Sequence, residues 1–413
     1  MDDMKRVPDE DLESSDDAVI GVWFRRSLLI IAALGAGVVA VLYWQTRSGP
    51  EQAEVGIETQ APEHALVEVA APALPFTDIT LASGVDFVHT NGAEGEKLLP
   101  ETMGSGAAFF DYDNDGDQDL LLVNSKHWPG SAEVERRGAT TRLYANDGRG
   151  KFTDVSRSVG LDVSMYATGV AIGDFDADGR SDVFLTAVGP NRMLRNSATG
   201  FEDVTARAAV AGAPETWSSS AAFFDADNDG DLDLYVSNYV KWSPQIDAEV
   251  NYQLTGVGKA YGPPVNYEGT HPYFYRNLGD GRFVDESEAA GVRISNEATG
   301  VPVGKGLGIL PVDLDRDGLV DLLVGSVNSE AEAKRGMSAW LVLSPVTGSF
   351  DIGGADVSFR SEETMDHAGL AVAGGGDLDG DGLSDIAIGA PESGYGAEYG
   401  GAVYIVLGAS LGL

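Results

Sequence analysis

An Asp-rich nonapeptide recurs five times along this chain, and a sequence that repeats itself in phase folds as an array of like units. The pattern is Asp-x-Asp-x-Asp-Gly-x-x-Asp. Its copies are Asp111, Asp113, Asp115, Gly116 and Asp119; Asp174, Asp176, Asp178, Gly179 and Asp182; Asp225, Asp227, Asp229, Gly230 and Asp233; Asp313, Asp315, Asp317, Gly318 and Asp321; and Asp377, Asp379, Asp381, Gly382 and Asp385. The first and third copies add Asp117 and Asp231. Alternate carboxylates in a tight loop converge on one point, where they repel unless a hard cation sits between them. Calcium accepts about six to eight oxygens at roughly 2.3–2.6 Å, which suits three such aspartates, a carbonyl after the glycine and a closing carboxylate. Glycine at the sixth position supplies a reversal that a residue with a Cβ resists. These aspartates are therefore candidate metal ligands, for about five calcium ions.

The flanking residues exclude the helical alternative. An EF-hand closes with Glu six residues after its glycine and sits between helices. Here the closing Asp follows the glycine by three, and short β-prone runs come next, as in Asp119-Leu-Leu-Leu-Val, Asp182-Val-Phe-Leu and Asp233-Leu-Tyr-Val. Apolar runs also precede the loops, such as Ala107-Ala-Phe-Phe110 and Ala221-Ala-Phe-Phe224. Each loop thus reads as the tip of a β-hairpin. Two more elements recur in phase. Leu143-Tyr144, Met193 to Asn196, Phe274 to Asn277, Trp340-Leu341 and Val403-Tyr404 read as third strands. Phe152-Thr-Asp154, Phe201-Glu-Asp203 and Phe283-Val-Asp285 read as outer strands. Four antiparallel strands per unit predict an all-β β-propeller over 76–413, with five loop-bearing blades and room for up to seven. Phe76 to Thr80 is an unpaired copy of the outer-strand motif, expected to complete the last blade and close the ring.

These residues resemble the FG-GAP/VCBS repeats of the integrin α-subunit propeller. Within that group they look most like UnbV/ASPIC-type proteins related to cartilage acidic protein. The stretches that carry the resemblance are Leu99 to Gly106 leading into Phe110 to Gly116, and Tyr275 to Phe283; Asp377 to Pro391 with Gly401 to Tyr404 is nearer the integrin form. The resemblance covers roughly residues 76–413 and implies calcium at the Asp loops. Integrin ligand binding through metal rests on partner domains outside this chain, so adhesion enters only by analogy.

The N-terminal region is of a different kind. Residues 1–26 form an acidic tail, and Ser27 to Trp44 carries no charge. At ~1.5 Å per residue that run reaches roughly 27 Å, enough to cross a hydrocarbon core. Arg25 and Arg26 abut its N-terminal end while Arg47 stands alone beyond it, so positive-inside reasoning keeps the N-terminus cytoplasmic and sends the rest across. The expected topology is a single-pass anchor, a flexible stalk over 45–75, and an extracytoplasmic propeller at the periplasm or cell surface.

Charge and motif content narrow the functional classes. With 27 Lys and Arg against 65 Asp and Glu, net charge -38, the surface repels nucleic acid, whose phosphates need clustered basic residues. There is no Cys, and the five His are scattered, which removes thiolate chemistry and His-pair metal sites. Nucleophile-elbow, His-Glu-x-x-His and phosphate-loop motifs are absent from the sequence. Residues 239–273 form an insertion with Trp242, Tyr252, Tyr261 and Tyr267. Long insertions often bind ligands, although the same aromatics serve equally to pack the loop down. The expectation is a non-catalytic adhesion or interaction scaffold for a protein or glycan, anchored in the membrane and shaped by calcium. The alternative is a calcium-dependent carbohydrate-active enzyme, which requires a carboxylate pair with a perturbed pKa away from the loops.

Overall fold

The computed structural model describes residues 76–129, 139–293, 295, 299–302, 304–326, 337–343, 357–360, 368–391 and 401–411. The expected tail, anchor and stalk lie outside these residues. Among the described residues, no helix is long and apolar enough to cross a membrane.

The described chain is all-β and built from successive antiparallel sheets, the strand content of propeller blades. The first holds β1 (Ala107–Phe110), β2 (Asp119–Leu122), β3 (Arg142–Asn146) and β4 (Phe152–Asp154). The second holds β5 (Ala167–Gly173), β6 (Asp182–Ala187), β7 (Arg192–Ser197) and β8 (Gly200–Asp203). In the third, β9 (Thr216–Phe224) and β10 (Asp233–Lys241) are followed by a small hairpin, β11 (Gln253–Leu254) and β12 (Gly258–Lys259), before β13 (Tyr273–Asn277) and β14 (Phe283–Asp285) complete the sheet. The fourth holds β15 (Gly306–Val312), β16 (Asp321–Ser326), β17 (Met337–Val342) and β18 (Val357–Arg360), and the fifth β19 (Ala371–Gly376), β20 (Asp385–Ala390) and β21 (Ala402–Val406).

Register is the same at every Asp loop. The closing Asp pairs with the residue just before the first Asp of its loop: Phe110 with Asp119, Gly173 with Asp182, Phe224 with Asp233, Val312 with Asp321 and Gly376 with Asp385. Each loop is therefore a hairpin tip, and the strand leaving it is apolar because both its faces are covered. β6 is buried at all six positions. The cores lie between consecutive sheets. Phe110, Leu121 and Leu143 of the first meet Val183, Leu185 and Leu194 of the second. Phe184 and Met193 of the second meet Phe223, Leu234 and Tyr275 of the third. Each such fully buried side chain contributes about 1.5–3 kcal/mol by leaving water.

Hydroxyls on or just before the first strands add a polar seam from sheet to sheet. Ser105 Oγ donates to Ala167 O at 2.9 Å, Thr168 Oγ1 to Ser218 O at 2.6 Å and Ser219 Oγ to Gly306 O at 2.8 Å. The approach is close enough to demand glycine at 169, where a Cβ would stand 2.7 Å from Ser219 O.

The outer-strand motif ends each of the first three sheets chemically. Asp154, Asp203 and Asp285 accept through Oδ1 from the backbone N–H of Ser156, Thr205 and Ser287 at 3.0, 3.1 and 3.0 Å. The same hydroxyl residues accept from the third-strand N–H of Leu143, Met193 and Phe274 at 2.9 Å each. The expected strand at Phe76 to Thr80 is not present. Asp78 accepts from Thr80 N at 2.9 Å, as in the paired copies, but this turn leads straight into a helical turn at Thr80–Ser83, with Phe76 90% exposed. Among the described residues the fifth sheet keeps three strands.

Candidate metal centres

Five sets of three aspartates place carboxylate oxygens within 4.8 Å of one another: Asp111, Asp113 and Asp115; Asp174, Asp176 and Asp182; Asp225, Asp227 and Asp229; Asp313, Asp315 and Asp321; and Asp377, Asp379 and Asp385. Every loop of the sequence pattern supplies one set. The backbone makes this convergence by two left-handed positions, the fourth and the sixth of the loop. The fourth residue has φ of 63° at Asn114, 53° at Ala177, 59° at Asn228, 62° at Arg316 and 78° at Gly380, and the sixth-position glycines have φ of 85–94°. Asn tolerates this region well, whereas Ala177 and Arg316 hold it at a cost of about 1 kcal/mol each.

The first Asp organises the turn. Asp111 accepts from Asp115 N at 3.1 Å and Gly116 N at 2.8 Å, Asp174 from Asp178 N at 3.0 Å and Gly179 N at 2.8 Å, and Asp225 from Asp229 N at 3.1 Å and Gly230 N at 3.0 Å. These bonds absorb only part of the charge. Asp176 Oδ1 and Asp313 Oδ1 are buried without a hydrogen-bond partner, and in the second loop the Arg195 guanidinium lies against Asp176 and Asp178. An all-oxygen donor set, orphaned buried carboxylate oxygens and a side-chain cation standing among them all fit a hard divalent cation.

The closing Asp does something sequence reasoning did not assign. It is buried in every loop. Its Oδ2 accepts from the second loop residue: Tyr112 N at 3.0 Å, Phe175 N at 3.2 Å, Ala226 N at 3.1 Å, Leu314 N at 2.9 Å and Leu378 N at 2.6 Å. Its Oδ1 reaches the end of the third strand or just beyond. The donors are Asn146 N at 2.8 Å, Asn196 N at 2.6 Å, Asn277 N at 2.8 Å and, in the fifth sheet, Gly408 N at 2.9 Å. Burial first, then the neighbouring loop aspartates, pushes Asp182 and Asp233 up to about 7 and raises Asp119 as well. Asp119, Asp233, Asp178, Asp317 and Asp381 stand outside the convergent sets. Asp117 and Asp231 do too: their carboxylates lie against Gly148 and Gly279 in the turns between third and fourth strands.

The three asparagines were also missed, although their phase was visible. Asn196 Nδ2 donates to Tyr112 O at 2.7 Å and Asn277 Nδ2 to Phe175 O at 2.8 Å. Each acceptor belongs to the loop of the preceding sheet, so third strands hold the loops of their neighbours.

The insertion leaves the end of β10 remote from its Asp loop. A short helix, Pro244–Val250, is capped by Ser243 Oγ, which accepts from Ile246 N at 3.2 Å. Asp247 on this helix is buried, and its Oδ2 accepts from Leu99 N at 2.9 Å, Trp242 Nε1 at 2.9 Å and Tyr267 Oη at 3.0 Å. Trp242 and Tyr267 therefore pack the insertion down, with Trp242 against Trp128, which stacks on Tyr166 at 4.2 Å. Of the insertion's large apolar side chains, Leu254, Val257, Tyr261 and Val265 remain exposed. Beside them Glu101 is buried and raised above the ordinary carboxylate range by desolvation, with Asp247 adding to the shift, and Tyr261 Oη donates to it at 3.3 Å. A perturbed carboxylate with an acidic neighbour thus exists away from the loops. Asp247 is committed to three buried donors, however, which makes it an anchor rather than half of an acid–base pair.

The comparisons with known proteins agree with this geometry. An FG-GAP-like repeat model matches residues 111–185 and 174–236, and an FG-GAP repeat model matches 368–406, covering the first, second, third and fifth loops. Cartilage acidic protein 1 of Xenopus tropicalis is 27% identical over 330 residues, which is 76% of this chain and 43% of that protein. Integrin alpha-X of Mus musculus is 36% identical over 120 residues, 29% of this chain and 10% of that protein. The chain spans less than half the length of these curated relatives. A solved Agrocybe aegerita lectin recognising non-reducing terminal N-acetylglucosamine aligns over 75% of this chain and 69% of its own, at 16% identity. Its TM-score of 0.36 is too low to bear on function.

Proposed function

We propose that this FG-GAP-repeat chain is a membrane-anchored, extracytoplasmic interaction scaffold whose blades are stapled by calcium, with no catalytic role. The observation that carries the reading is the set of five convergent aspartate triads, one at the same hairpin tip of each sheet. Calcium there would be held by Asp111, Asp113 and Asp115, by Asp174, Asp176 and Asp182, and by their counterparts in the other loops. The ion would neutralise carboxylates that otherwise repel, and it leaves the protein side with a shape to keep rather than a bond to break. Extracellular modules bind calcium at about 10⁻⁴–10⁻³ M, which suits a propeller outside the cytoplasm.

The scaffold reading draws on the similarity to integrin alpha chains and cartilage acidic protein. The partner-facing surface is placed at the strand ends remote from the loops, where Leu254, Val257, Tyr261 and Val265 are exposed. Its partner is a protein or a glycan. The test is a calcium titration of the chelated full chain in detergent, with stoichiometry and melting followed together. Binding of about five ions with a large rise in melting temperature supports the reading, because a ligand of the native state stabilises it by mass action. Aspartate loops that neither bind calcium nor gain stability would reduce the repeat to turn chemistry and sink the reading.

A further inference from the structure

The first three Asp loops are alike in sequence but face different charges. One residue before the third-strand asparagine stands Ala145 in the first sheet, Arg195 in the second and Arg276 in the third. Ala145 brings no charge. Arg195 Nε donates to Asp176 Oδ2, and its Nη2 donates to Asp178 Oδ2 at 2.6 Å. Arg276 occupies the matching place but is drawn aside, its Nε paired with Glu286 Oε1 at 2.9 Å. Glu286 follows the outer-strand Asp285. The residue in that place after Asp203 is Val204, buried in the core between the second and third sheets, which offers Arg195 no carboxylate. In the second loop the convergent set is Asp174, Asp176 and Asp182, a composition the fourth and fifth loops share, and there Asp178 is paired with Arg195.

We propose that Arg195 is an intramolecular competitor for the cation position of the second loop, making this loop the last of the first three to fill with calcium and the one that keeps its shape without it. The inference rests on the calcium reading above. An incoming divalent ion must displace the guanidinium or share two carboxylates with it. Two like charges within a few ångströms repel strongly near a partly buried site, and calcium affinity follows the number of free ligand charges. Glu286 performs the opposite service in the third loop by holding Arg276 away.

The experiment is calorimetric calcium titration of the full chain in detergent, comparing the wild type with Arg195→Gln and Glu286→Gln. Arg195→Gln is expected to convert one weak site to one about tenfold tighter, and to lower the melting temperature in chelator but not in saturating calcium. Glu286→Gln is expected to free Arg276 and weaken one site by a similar factor. If calcium binds the wild type but Arg195→Gln changes neither the affinities nor the chelated stability, the competitor role fails while the calcium reading stands. If neither the wild type nor the variants bind calcium, both fall together.

Discussion

Truncating Asn277 to alanine isolates the tie between neighbouring blades. The side chain is fully buried, its Nδ2 donates to Phe175 O at 2.8 Å and Leu232 O at 3.0 Å, and its Oδ1 accepts from Gly279 N at 3.1 Å. Gly279 is exposed, so its N–H turns to water at little cost. The two carbonyls are left with an empty site where the amide was, and each buried unsatisfied group costs about 1–3 kcal/mol. The expected loss is therefore about 3 kcal/mol, a fall in melting midpoint of roughly 4 °C for a domain this large. Scanning calorimetry in saturating calcium reads the shift, with Asn266→Ala as control because that side chain is exposed. The control should stay within about 0.5 kcal/mol. Asn196→Ala removes the equivalent tie to Tyr112 O one blade earlier and should behave like Asn277→Ala. A midpoint for Asn277→Ala indistinguishable from the control would refute the claim that third strands hold the preceding loop.

Two further substitutions probe the end of the molecule remote from the loops. Asp247→Ala orphans the donors Leu99 N, Trp242 Nε1 and Tyr267 Oη and should cost about 3 kcal/mol or more. Limited proteolysis should then cut between residues 251 and 262 while calcium stoichiometry is retained; an uncut insertion contradicts its role as the anchor. Glu101→Gln keeps an acceptor for Tyr261 and removes a carboxylate that burial holds above its usual range. Ionised Glu101 disfavours the folded state above its raised pKa, and the penalty vanishes below the ordinary carboxylate range, where both states are protonated. The variant should therefore match or exceed wild-type stability at neutral pH, with the gap closing on acidification. A variant less stable than the wild type at neutral pH overturns that assignment.

The hairpins, their third strands and their Phe-x-Asp edges were legible because each rests on local chemistry: a glycine at a turn, short apolar β-prone runs and a recurring Phe-x-Asp. Convergence of the first and third aspartates follows from the same local chemistry in all five loops, but the third member does not: it is the fifth-position Asp in two loops and the closing Asp in three. What remained hidden depends on partners supplied from elsewhere. The closing Asp reads only as one more ligand, and its second task appears once its two backbone donors are seen, one of them beyond the hairpin in the third strand. Asn196 and Asn277 recur in phase, but their acceptors are main-chain carbonyls of another sheet, which no residue type announces. Arg195 and Arg276 look equivalent and are separated only by Glu286. The aromatics of the insertion divide by burial: Trp242 and Tyr267 pack inside while Tyr261 stays 40% exposed. Phe76 to Ile79 carries the outer-strand motif without a strand to pair with, so motif and pairing part company there.

The asparagine ties and the bond from Asn114 Nδ2 to Gly179 O at 2.9 Å link loops to their neighbours and to nothing more distant. Along the loop rim, such an array behaves like a row of coupled dominoes, each loop tied to the next. An ion bound at one loop would lower the ordering entropy left for the adjoining one, and a lesion in one loop would weaken its two flanks before it reached the rest of the rim. The coupling between loops then becomes a local quantity, set by these side-chain amides and not by the number of repeats.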